Sequence, residues 1–508
     1  MKLINSEFFS KKKTFFHIFV VCFTIFLLCF PLVPGRLMDQ NEIDKKETIR
    51  DGFFSGKWQS SELQEGSLFG VLNFGRSDTI ASIEGSSFLN GSEAVIQLNG
   101  WVFQSLVISF LSSDSFTGKR VLFGRIQLDK PSFSFTGFSP KFGRISCSGE
   151  YDGSFLPAPT GRYQVGIRSY HIIDEHRDEW FTEEESDVRE YMVTVWYPTQ
   201  GNDVSKRAVY MDPITFSWLR DQGPVPLITI PKNAYAFVNP YLYESVEPVE
   251  STTFPVLLFS PGYDGVDRIY TSFIDELVSH GYIVVSMNHP YVSGVTVFPD
   301  GRAVYIADRP DNSSEVSEFL KRSQQTVVGD VLHALDFVEA LNTSDALLSG
   351  VFDCSTVGMF GHSFGGAATL TCCVIDDRIQ AGFTLDGVVY DEFITEPIED
   401  PVLLMCAENR FNHSSYDYVW SQFANDAFQV GVEGSAHYGF TDVGVLLSHL
   451  LPLIPSELLG FGTIDPQYLI KVTRRFENAF FDVYLKDAEK DELVSLFDEF
   501  KGVLIKEK

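Results

Sequence analysis

Basic residues are the first shortage in this chain. Against 68 Asp and Glu there are only 39 Lys and Arg, a formal net charge of −29 over 508 residues. A protein that grips a phosphate backbone needs a basic footprint, so nucleic acid is excluded as a partner. Cysteine is scarce as well. Seven in 508 residues cannot staple a disulfide-built scaffold, and no Cys or His spacing matches a zinc site. Charged residues make up 21% and hydrophobic residues 44%, which excludes a mainly disordered chain and supplies a large core. The acidity is local: the formal charge is +2 over 1–49, −1 over 50–155 and −30 over 156–508. That shift marks a boundary near residue 155, within a length that allows roughly two to four domains.

What is present begins with an apolar run. Lys11, Lys12 and Lys13 precede Phe15–Val33, which is interrupted only by His17 and Thr24. At 1.5 Å per residue this reaches about 28 Å, enough for a hydrocarbon core of about 30 Å. The lysines predict an N-terminus inside and the rest of the chain outside. The exit, CFPLVPGR, lacks a small-x-small cleavage site, which favours an anchor over a cleaved signal peptide. Residues 1–40 are therefore read as a membrane anchor or signal segment. The remainder is extracytoplasmic, and secreted if the segment is cleaved. Five cysteines lie beyond the run: Cys147, Cys354, Cys372, Cys373 and Cys406. An odd number leaves at least one without an intramolecular partner.

Residues 41–155 carry short alternating runs such as SLFGVLNFG and AVIQLNGWVF, separated by Gly, Ser and Asn. No helical period persists, so the segment predicts a small all-β domain, with no role legible in it. LFGVLNF (68–74) and LFGRIQL (122–128) recur at a spacing of 54, a hint of two copies of one β unit.

From 156 to 508 strand-like and helix-like runs alternate. FPVLLFS (254–260), YIVVSMNH (282–289), TVGMFG (356–361) and PVLLMCAE (401–408) read as buried strands; 267–280, 325–342, 364–375 and 465–486 read as helices. The alternation predicts an α/β domain with a mainly parallel sheet covered on both faces. Active residues of such folds lie at the C-terminal ends of strands.

One motif sits at such an end. Gly361-His362-Ser363-Phe364-Gly365-Gly366 fits G-x-S-x-G between a predicted strand and a predicted helix. The turn is sharp, so residues two away on either side must be small, and the serine is pushed to the mouth of the sheet. A serine hydroxyl needs a base, and chain order places it after the last strands. His437 in GSAHY satisfies that. His413 comes before the final strand, and His449 falls inside a predicted helix. An acid must orient the imidazole. Asp386 and Glu408 both end strands, and spacing alone leaves the choice open. One oxyanion donor is the backbone N–H of Phe364; the second comes from the loop after FPVLLFS. His289 ends a strand at the same edge, where a structural role is favoured. His171 and His176 carry no metal reading, and the chemistry needs no metal or cofactor.

These segments carry a resemblance. GHSFGG, TLDG and GSAHYGFTD, with GRYQVGIRSYHIID, VTVWYPT, FSPGYDG and SHGYIVVSMNHP, resemble the platelet-activating factor acetylhydrolase family, in its lipoprotein-associated and intracellular serine-lipase types, over about residues 160–487. The resemblance implies an α/β-hydrolase fold and an acid ending the strand after the nucleophile helix, which is Asp386. It places the second oxyanion donor at Tyr263, with Pro261 standing where the family usually has His. It also implies a calcium-independent carboxylic ester hydrolase acting on short or oxidised acyl esters of phospholipids. The alternatives are a dienelactone-hydrolase-like or polyester-cleaving esterase, and a non-catalytic binding module.

Overall fold

The structure, a computed structural model, describes residues 52–508 apart from 61–64, 75–80, 90–94, 104–105, 114–115, 130–131, 140–142, 153–155, 202–205, 223–237, 239, 388–389, 451–456 and 458–459. The apolar run Phe15–Val33 lies outside the described residues. Among these, no helix is long and apolar enough to cross a membrane.

Eight antiparallel strands, β1 (Gly52–Ser60) to β8 (Gly143–Asp152), form a closed barrel, sealed where β1 pairs with β8. Closure removes the unpaired edges that such strands would otherwise expose. The two similar heptapeptides fall on β2 (Glu65–Phe74) and β6 (Phe116–Asp129), the second strand of each half of the barrel.

The rest of the chain builds a ten-stranded sheet. Its strands are β9 (Gln164–Asp178), β10 (Val188–Thr199), β11 (Leu242–Glu244), β12 (Phe254–Ser260), β13 (Ile283–Asn288), β16 (Phe352–His362), β17 (Ile379–Leu385), β18 (Val402–Ala407), β19 (Ala427–Val432) and β20 (Val503–Glu507). They lie in the order β11-β9-β10-β13-β12-β16-β17-β18-β19-β20, with a separate hairpin of β14 (Val295–Val297) and β15 (Ala303–Tyr305). The run from β13 to β19 is parallel, and antiparallel pairs flank it at β10–β13 and β19–β20.

Continuous apolar runs are what a doubly covered sheet requires, because alternate side chains enter opposite layers. On β12, Leu257 and Phe259 join one core and Val256 and Leu258 the other. Helices Thr271–Ser279 and Pro466–Leu485 cover the first face; Ser313–Ser344 and Phe364–Ile375 cover the second. Cys372 and Cys373 are buried in this second core as free thiols, as is Cys406. The helix read at 325–342 starts twelve residues earlier, at Ser313, capped by the Asn312 side chain accepting from Ser314 N–H. Its first turns are mostly polar and exposed, so no apolar period announced them. Nor does the sequence pattern announce the edge strand β20.

Two of these helices meet around buried carboxylates. Arg474 contacts Asp275 at 3.0 Å and Glu276 at 3.3 Å. Glu477, beside them, is fully buried, and neither carboxylate oxygen has a hydrogen-bond partner among the described residues. Burial, aided by the charge of Glu276 and opposed by Arg474, pushes its pKa well above the ordinary value. The unfolded chain releases this proton in the ordinary carboxylate range while the folded chain keeps it, so stability falls as pH rises above that range. Glu477→Gln removes that slope. Its melting temperature is expected to gain on the parent protein's as pH moves from 5 to 8; an unchanged difference in thermal melts at the two pH values would refute the buried protonated acid.

Candidate active site

The strand β16 turns into helix Phe364–Ile375 through a single residue. Ser363 holds φ 54° and ψ −109°, a conformation that side chains other than glycine rarely adopt. Crowding enforces the turn. A Cβ at Gly365 would overlap the Ser260 carbonyl, and one at Gly361 would overlap the Gly365 backbone. The Ser363 N–H donates to Leu385 O of β17 at 2.9 Å, which ties the elbow to the sheet. Phe364 opens the helix, so its N–H belongs to the unpaired first turn.

His437 stands at the start of a short 3-10 turn after β19, with its side chain half-buried. Its Nδ1 lies 2.5 Å from Oδ2 of Asp386. Asp386 follows β17, is fully buried, and accepts the Ala407 N–H on Oδ1 at 2.9 Å. Arg410 Nε approaches Oδ2 at 3.4 Å. Burial works against ionisation of Asp386. The hydrogen bond and charge of His437, the Ala407 N–H and Arg410 outweigh it and hold the carboxyl below its ordinary pKa. Glu408 is placed elsewhere: Oε2 accepts the Gly434 N–H at 2.8 Å and braces the turn that leads to His437.

The loop after β12 comes up against the elbow. A Cβ at Gly262 would lie 3.3 Å from Ser363 Cβ. Tyr263 packs edge-on against Phe364, with centroids 5.6 Å apart. Ser363, His437 and Tyr263 line one cavity of about 360 Å³, together with Trp218, Tyr438 and Phe461. Two charged groups not anticipated from the sequence also line it. Asp264 has its pKa raised by burial, against the positive charges of Arg309 and His437. The Arg309 guanidinium lies 4.0 Å over the Tyr263 ring. No motif points to either, because each reaches the cavity through loop geometry.

Four other histidines are placed as follows. His413 caps a surface turn, accepting from Ser415 N–H. His449 lies in the helix Val443–Leu450. His171 pairs with Glu190 at 2.7 Å. His289 is buried, with Nδ1 2.8 Å from Asp330 Oδ2 and Nε2 3.1 Å from Ser260 Oγ. Among the described residues no group of three or more His, Cys, Asp or Glu is placed to hold a metal ion.

Comparison with known proteins gives a consistent set of likenesses. Residues 149–499 match the family model described as platelet-activating factor acetylhydrolase, isoform II. A probable 1-alkyl-2-acetylglycerophosphocholine esterase of Arthroderma benhamiae is 28% identical over 263 residues, which span 49% of this chain and 62% of that one. The platelet-activating factor acetylhydrolase of Cavia porcellus is 24% identical over 367 residues, 65% of this chain and 78% of the relative. Among solved structures, a ferulic acid esterase from Streptomyces cinnamoneus matches with a TM-score of 0.58 and 25% identity, over 70% of this chain and 99% of that one.

Proposed function

The chain belongs to the platelet-activating factor acetylhydrolase family, and from that membership and the site's geometry we propose that it is a serine ester hydrolase of short-acyl phospholipid esters. The observation that carries this reading is the 2.5 Å contact of Asp386 with His437, which lines the same cavity as the strained Ser363. With Nδ1 committed to Asp386, Nε2 is the ring nitrogen left for the serine proton. Ser363 Oγ bonds to the ester carbonyl carbon as His437 takes its proton. The N–H groups of Phe364 and Tyr263 receive the oxyanion. His437 then hands the proton to the leaving alcohol, and water, deprotonated by the same imidazole, releases the acid. Asp386 holds the ring and stabilises its charged form. No step uses a metal.

The short acyl group is supported by the cavity, whose volume of about 360 Å³ sits at the low end of the range of about 300–1,000 Å³ for small-molecule sites. The likeness to a ferulic acid esterase favours a second reading, an esterase of aromatic or polymer-linked esters. Residues 41–155 serve as an accessory domain in this proposal, supported by strands that close on themselves. The apolar run Phe15–Val33 tethers the chain to a membrane with the catalytic part outside, supported by its length and preceding lysines.

The test is hydrolysis by the full chain with calcium chelated, using 1-alkyl-2-acetylglycerophosphocholine, its 2-palmitoyl counterpart and methyl ferulate. The acetyl ester is expected to be cleaved at least about a hundredfold faster than the palmitoyl ester, a discrimination of the kind pocket shape sets. Faster cleavage of the ferulate would favour the second reading, and cleavage of none would leave the binding-module alternative.

A further inference from the structure

Two buried residues at the site take no part in these steps. His362 occupies the motif position before Ser363 and is 3% exposed; Tyr270 closes the 3-10 turn Asp267–Tyr270 and is 1% exposed. The His362 Nε2 lies 3.0 Å from the backbone carbonyl oxygen of His437. Its Nδ1 lies 2.9 Å from the Tyr270 hydroxyl, which in turn lies 3.3 Å from the Gly262 N–H.

The chemistry of the groups fixes the direction of every bond. A carbonyl only accepts, so Nε2 carries the ring proton. Nδ1 is then an acceptor, and the Tyr270 O–H donates to it. That leaves the Tyr270 oxygen to accept the Gly262 N–H. Burial, then the neighbouring charge of His437, holds the His362 pKa at about 3, so the ring stays neutral at working pH and keeps this tautomer. The fit is tight. A Cβ at Gly262 would lie 3.0 Å from His362 Nδ1, and the His362 and His437 rings are 4.6 Å apart.

We propose that Tyr270 and His362 form a positioning relay that locks the Gly262–Tyr263 loop to the backbone of His437, so that the oxyanion donor and the proton-carrying imidazole move as one frame. The proposal rests on the ester-hydrolase reading. It also answers the Pro261 departure: the loop is held from below through a tyrosine and a histidine on other elements. The donor N–H must meet an oxygen that exists only in the tetrahedral state, so the relay acts on kcat and leaves substrate affinity nearly untouched.

The test uses Tyr270→Phe, His362→Gln and His362→Asn in the full chain, with p-nitrophenyl acetate as substrate and active sites counted by fluorophosphonate titration. Gln keeps the bond to His437 and gives up Tyr270; Asn does the reverse. Each variant is expected to lose about tenfold to a hundredfold in kcat, less than the 10²–10³ of a lost oxyanion donor, with KM within about twofold. Affinity for a trifluoromethyl ketone, which forms the tetrahedral adduct, is expected to fall by the same factor. A lowered melting temperature with parental kcat per active site would overturn the relay. If Tyr270→Phe fails to fold, the two His362 variants decide on the same criteria. A parent protein without Ser363-dependent ester cleavage overturns the hydrolase reading and the relay together, and the parental rate tells the two failures apart.

Discussion

Ser363→Ala is expected to lower kcat by about 10⁶-fold and to abolish covalent labelling by a fluorophosphonate probe, as loss of the nucleophile does in triad enzymes. A competing serine lies within the same molecule. Ser260, His289 and Asp330 also form a Ser–His–Asp chain, with contacts of 3.1 and 2.8 Å. Its exposure is 0%, 1% and 0%, so no ester reaches it. Its acid is committed elsewhere too: Asp330 accepts from Arg189 at 2.7 Å and from Arg177 at 2.8 Å. Burial depresses the His289 pKa despite Asp330. Ser260 is the last residue of β12, directly before the Pro261–Gly265 loop. Labelling is therefore expected to survive in Ser260→Ala and vanish in Ser363→Ala, with the modified peptide located by mass spectrometry. A probe adduct remaining in Ser363→Ala would overturn the assignment of the nucleophile.

Asp386→Asn is expected to cost about 10⁴-fold in kcat, the effect of presenting the imidazole in the wrong tautomer and leaving its charged form unsupported. Glu408→Gln is expected to stay within about tenfold, because a glutamine carbonyl still accepts the Gly434 N–H. Steady-state kinetics on the two variants decide between the carboxylates, and a larger loss in Glu408→Gln would reverse the assignment. Acid stability gives an independent reading. The pKa of Asp386 is depressed on folding, so its contribution to stability is present above the unfolded pKa and lost as pH falls through the folded one. The Asn variant is expected to be less stable than the parent at neutral pH, with the gap closing in acid.

How much of this was legible before folding follows from where each signal is stored. Gly361 and Gly365 announce the elbow because its strain and crowding act on immediate neighbours. The apolar runs of β12, β13, β18 and β19 announce a doubly covered sheet because burial on both faces removes the need for polar alternation. The order of serine and histidine along the chain follows from that sheet. These features the sequence determined by itself, since a few adjacent residues carry each of them.

The rest depends on contacts between distant residues. Spacing leaves Asp386 and Glu408 open and the family resemblance favours Asp386; the contact itself, with His437 51 residues away, forms only in the folded chain. The Ser260–His289–Asp330 set exists only in the folded chain, where burial and the arginines on Asp330 separate it from the set that faces the cavity. Tyr270 and His362 are 92 residues apart, and nothing in the motif G-x-S-x-G links its second residue to a tyrosine. Asp264 and Arg309 enter the cavity the same way, on loops with no period to read. Conformation is set locally by sterics and periodicity, whereas desolvation and hydrogen-bond partnership exist only once the chain has packed; the tertiary structure alone decided those.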